Sequence, residues 1–129
     1  MVIQSEQIGS LPRPDELIAA QRSYRYGMVG RNRLATLRET AIHETIKELE
    51  ETGSKVITDG EQAKPSFLTY PIHALADENY TFTSNCFALT FSDGHQRSLP
   101  RLAKAPFRYA LYAHVYVDEA KKHTTLPIK

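Results

Sequence analysis

Two short segments carry the side chains best suited to chemistry. In Ile8-Gly9-Ser10-Leu11-Pro12-Arg13-Pro14, Gly9 lets a ligand approach the backbone and Ser10 offers a hydroxyl. Arg13 could clamp a carboxylate through two parallel hydrogen bonds. The plainer alternative is a tight turn bearing a surface arginine. In Thr58-Asp59-Gly60-Glu61-Gln62, followed by Pro65-Ser66-Phe67, two acids flank a glycine. Such a pair can bind an ammonium group, ligate a cation, or move a proton where burial raises one pKa. Here the plainer alternative is a solvated loop with a helix-capping Asp. Taken together, the two segments are more suggestive than either one.

The elements that must position these side chains are readable to different degrees. Residues 6–10 could close a short first strand, and Pro12 and Pro14 push Leu11 and Arg13 into extended conformations. Pro14, Asp15 and Glu16 suit a helix start, with Leu17, Ile18 and Ala20 on its inner face and an end near Tyr26-Gly27. Residues 31–52 hold the strongest periodicity: Leu34, Leu37, Ala41, Ile42, Ile46 and Leu49 recur at spacings of three and four, and Gly53 stands where a helix terminator belongs. Residues 55–58 read as a compact strand, turned by Asp59-Gly60-Glu61. Residues 80–91 read as one or two strands, with Asp93-Gly94 a hairpin-type turn. Further strands are expected at 109–113 and 124–128, the latter interrupted by Pro127, with a short helix at 115–123 between them. Helix, glycine, β-branched strand and acidic loop form the repeating grammar of an α/β sheet with parallel strands. In such folds reactive groups collect where strands end. No internal repeat or low-complexity linker divides residues 1–129, so one domain is expected.

Composition narrows the function classes. A hydrophobic content of 41% supports one modest core in a chain of 129 residues. The net charge of +1 comes without a basic stripe interleaved with aromatics, which argues against a nucleic-acid partner. No apolar stretch approaches the roughly 18–20 residues of a membrane span, so neither a membrane partner nor a location outside the cytoplasm is expected. Cys86 is the single cysteine, which rules out an internal disulfide and paired-cysteine zinc sites within one chain.

The pairing of the two segments resembles a known family. IGSLPRPDELI, then a helix ended by glycine, then VITDGEQAKPSFL is similar to the N-terminal third of the catalytic barrel of cobalamin-independent methionine synthase. AKKHTTLPIK is similar to the stretch that begins that barrel's third strand. The resemblance implies an α/β fold: a partial, truncated TIM-barrel-like sheet with parallel strands, to which residues 80–112 add a β-hairpin. It also implies methyl transfer to a homocysteine-like thiol. Ile8, Gly9 and Ser10 match the turn that contacts the amino-acid part of homocysteine, and Glu61 matches the carboxylate that binds its amino group. Arg13, Asp59 and Gln62 fall at the pocket rim. The family's zinc and methyltetrahydrofolate are expected to be absent from this chain, since the His, Cys and Glu zinc ligands come from strands beyond its last residue. His43, His73, His95, His114 and His123 offer no substitute ligand set by spacing, so no metal site is expected.

Three functional readings follow. A fragment of a methyltransferase would hold part of a substrate pocket without turnover, and its open sheet edges would favour aggregation. A short descendant that self-associates, as a homodimer for instance, could run a metal-free isomerisation, cyclisation or dehydration through Asp59, Glu61 and His73 on a small-molecule substrate. A pseudoenzyme would keep the fold and lose the reaction. The aromatics Tyr80, Phe82, Phe87, Phe91, Phe107, Tyr109, Tyr112 and Tyr116 could line a ligand pocket or subunit contact, or simply fill a core.

Overall fold

The computed structural model describes residues 5–67, 69–73, 87–94, 96–99, 108–109 and 111–129. The chain divides into two compact units, Met1–Lys64 with His114–Lys129, and Pro65–Ala113.

The first unit is built on two helices. α1 (Asp15–Arg25) starts directly after Pro14, whose φ of −56° is already helix-compatible, and Asp15 and Glu16 place negative charge at its positive end. α2 (Arg31–Glu51) ends before Gly53, which takes a φ of 78° that only glycine adopts without strain. Its apolar stripe splits between two clusters. Leu34 and Ala41 pack with Leu17 and Ala20 of α1. Ile42, Ile46 and Leu49 pack with Ile57 and with Ala120 of a short helix, α4 (His114–Ala120). Leu11, Ala63, Leu126 and Ile128 close over this second cluster. Fully burying one such side chain stabilises the fold by about 1.5–3 kcal/mol.

The second unit holds one helical turn, α3 (Tyr70–His73), and a hairpin of β1 (Phe87–Thr90) and β2 (Gln96–Leu99). The strands pair antiparallel, Phe87 opposite Leu99 and Thr90 opposite Gln96. The chain reverses where the Gly94 N–H donates to the Phe91 carbonyl at 2.9 Å and Gly94 takes a φ of 84°.

The expected partial TIM-barrel-like sheet with parallel strands is not formed among the described residues. The sheet found there is this antiparallel hairpin, and parallel pairing is confined to a single bridge between Ile57 and Ile128. Both hydrogen bonds of that bridge belong to Ile57: its N–H donates to the Pro127 carbonyl at 2.8 Å and its carbonyl accepts from Lys129 N–H at 2.9 Å. Two features keep the ladder from growing. Pro127 has no N–H to donate. Beyond Ile57, the Thr58 hydroxyl and Asp59 carboxylate capture the N–H groups of Gly60 and Glu61, which bends the backbone away from an extended path. The segments 55–58 and 124–128 are therefore loops joined at one point. Residues 109 and 111–113 also form no strand, and 80–86, including Cys86, lie outside the described residues.

Of the aromatics in the 80–116 stretch, Phe91, Tyr109 and Tyr112 are exposed, Tyr109 and Tyr112 meeting edge to face at 6.0 Å. Core packing does not account for these three. Tyr80, Phe82 and Phe107, and the side chain of Phe87, lie outside the described residues. Among the described residues no helix is long and apolar enough to cross a membrane.

Candidate functional site

The two glycine-bearing bends meet. The Leu11 N–H donates to the Gly60 carbonyl at 3.0 Å, and the buried Thr58 hydroxyl donates to the Gly9 carbonyl at 3.4 Å. From the other side, the Gln62 amide donates to the Pro12 carbonyl at 3.3 Å. Gly60 makes this approach possible. It has a φ of 65°, and a Cβ there would lie 2.9 Å from Thr45 Cγ2 of α2 and 3.3 Å from Leu11 Cβ.

Arg13 fixes the second bend. Its Nε donates to the Gln62 carbonyl at 3.1 Å and its Nη2 to the Glu61 carbonyl at 2.9 Å and also to the Lys64 carbonyl. The fork that could have gripped a substrate carboxylate is thus committed to three backbone carbonyls, where it organises the bend.

Glu61 sits at the centre of this arrangement with a φ of 57°, the one non-glycine residue in left-handed conformation among those described. Such a backbone costs on the order of 1–3 kcal/mol and persists where its surroundings over-determine it. Here they do: Asp59 Oδ1 accepts from the Glu61 N–H at 2.9 Å, and Arg13 holds the Glu61 carbonyl. The Glu61 carboxylate, 20% exposed, pairs with the Lys64 ammonium at 3.4 Å. Lys64 Nζ also lies 5.5 Å from the centre of the Tyr116 ring. An ammonium group of the chain itself is therefore already seated on the acid.

At the bend, two buried acceptors, Asp59 Oδ2 and Gln62 Oε1, have no hydrogen-bond donor among the described residues, and their residues are 6% and 0% exposed. At the open side, Ile8 is 99% exposed and the Ser10 hydroxyl is exposed with no hydrogen-bond partner among the described residues. The structure thus brings Gly9, Arg13, Asp59, Glu61 and Gln62 together, with Ile8 and Ser10 at the margin. His73 belongs to the second unit, and its side chain lies outside the description. Thr58 and Lys64 are site residues that segment-level reading does not single out. The signal for Lys64 was its position three residues after Glu61, and none marked Thr58 as buried.

A cavity of about 430 Å³ lies elsewhere in the first unit, lined in part by Gln7, Thr52, Ser54 and Lys55, and it includes none of the bend residues. Among the described residues no group of three or more His, Cys, Asp or Glu side chains could hold a metal ion. No family model matches the chain, and no curated protein matches it.

Proposed function

We propose that the paired bends bind a small amino-acid-like metabolite, with the Glu61 carboxylate accepting its ammonium group and the Gly9-Ser10 turn contacting its carboxylate end. The observation that carries this reading is Glu61, held in left-handed backbone by Asp59 and Arg13 and already engaged with the Lys64 ammonium. A carboxylate fixed in advance loses little entropy on binding, which favours recognition of a cation. Lys64 acts as the intramolecular placeholder that a substrate ammonium displaces. The resemblance to methionine synthase makes a homocysteine-like thiol the substrate class and methyl transfer the reaction in which such a site takes part. The same proposal puts the protein in the cytoplasm and has it self-associate through exposed apolar side chains such as Ile8. Metal-free acid–base catalysis is the second reading, favoured by the buried Asp59 carboxylate oxygen that no group among the described residues satisfies.

Titration of the chain with homocysteine and with 4-mercaptobutanoate, followed by backbone NMR, tests the first reading. Shifts at Glu61 and Lys64 are expected with homocysteine and not with the analogue, which lacks the amino group but keeps the carboxylate assigned to Ser10. Equal responses to both compounds would remove Glu61 as the ammonium acceptor.

A further inference from the structure

α2 and the turn after α4 bring together two histidines far apart in sequence. The rings of His43 and His123 lie 5.4 Å apart, centre to centre, with their planes inclined at 54°. His123 Nε2 is shut off from solvent and has no hydrogen-bond partner among the described residues, an unfavourable condition for a polar atom. His43 is exposed, so its ring can turn at low cost. Each histidine follows a glutamate by four residues, Glu39 on α2 and Glu119 on α4. Lys122 lies among these groups: it donates to Glu119 at 2.7 Å, and both Glu119 and Glu39 act on it electrostatically.

We propose that His43 and His123 form a two-nitrogen binding site for a divalent transition-metal ion of the zinc or nickel type. Two imidazoles sharing a tetrahedral ion at about 2.0–2.1 Å place their ring centres roughly 5 Å apart, close to the separation found. Imidazole nitrogen suits zinc, nickel, copper and cobalt and disfavours magnesium and calcium. Rotation of the exposed His43 ring would open His123 Nε2 to the ion, and water entering from that side completes the shell, because no third His, Cys, Asp or Glu joins the pair among the described residues. An ion here would staple the middle of α2 to the turn at residues 121–123, independently of the bend carrying Glu61.

The test is calorimetric titration of the untagged full chain with zinc chloride, repeated on His43→Ala and His123→Ala. One ion per chain is expected. Each substitution should weaken binding by about tenfold or more, since loss of even an outer-shell partner costs about 10–100-fold. Zinc should also raise the melting temperature of the wild type and not of His43→Ala. Because His123 is partly buried, its replacement could disturb folding; His43→Gln, at an exposed position, then carries the decision. Nickel-induced broadening of both histidine ring signals in NMR would support the site. No saturable zinc binding by the wild type, or undiminished binding by both His43 variants, would overturn it.

Discussion

The two halves of α2 bury similar apolar side chains beneath unlike partners. Toward its N-terminus, Leu34 and Ala41 meet Leu17 and Ala20 of another helix. Toward its C-terminus, Ile42, Ile46 and Leu49 meet Ile57, Ala120 and the underside of a polar bend, with Thr45 against Gly60. The first contact is held by side chains alone. At the second, apolar packing supplies a floor, and backbone hydrogen bonds to Arg13, Gln62, Thr58 and Asp59 fix what lies on it. Substitutions in the apolar core should therefore change stability alone in the first region and stability together with site geometry in the second.

The largest effect is expected at the floor itself. Ile46→Ala should cost about 2–5 kcal/mol in urea unfolding and weaken homocysteine binding among the chains still folded. Leu34→Ala should cost a similar amount and leave binding intact; a loss of binding by Leu34→Ala would break the contrast between the halves. Next in size, Arg13→Ala should cost about 3 kcal/mol, as several charge-assisted bonds vanish together. Arg13→Lys should recover little, because a point-charge ammonium cannot span three carbonyls. Full recovery with Lys would mean that charge, rather than the fork, holds the bend.

Smaller effects sharpen the picture. Gly60→Ala should cost about 2 kcal/mol through left-handed strain and crowding against Thr45. A neutral outcome would show that the two bends can part without penalty. Glu61→Gly should act in the opposite direction, raising stability by about 1 kcal/mol through release of backbone strain while abolishing ligand binding. A destabilised Glu61→Gly would count against strain held for function. Smallest of all is Arg38→Met in the first unit. Burial pushes the Arg38 guanidinium below its ordinary pKa, against the opposing pull of Tyr116 and Tyr24, and its Nε has no acceptor among the described residues. Replacing it with an apolar side chain of similar length should be neutral or stabilising by up to about 1 kcal/mol. Marked destabilisation would reveal a partner for that charge.

The contrast between the halves also explains what was legible in the sequence. α1 and α2 form over nearly the expected residues because a periodic apolar stripe, a proline before the first turn and a glycine after the last are all local signals. The grouping of Arg13, Asp59, Glu61 and Gln62 beside the Gly9 turn was implied by the family resemblance of the two segments, and their spacing alone left a tight turn and a solvated loop as the plainer alternatives. The parallel sheet was expected and is not formed among the described residues. β-branched residues at 56–58 favour a strand, but the Thr58 and Asp59 side chains take the N–H groups of the residues that follow and Pro127 withholds a donor, so one bridge forms where a ladder was expected. Arg13's use of carbonyls and the left-handed turn at Glu61 depend on the whole fold, and spacing carries no trace of either. Nor does spacing bring His43 to His123, which are joined only through the packing of α2 with α4.

The central claim is that a pre-set carboxylate on the second bend is the acceptor for a substrate ammonium. Its most direct test is calorimetric titration of homocysteine into wild type and Glu61→Gln, with melting curves recorded for both. Binding by the wild type, weakened by about 10–150-fold in Glu61→Gln at an unchanged melting temperature, is the predicted result, matching the loss of one hydrogen bond to a charged group. Equal affinity in the two proteins would contradict the account.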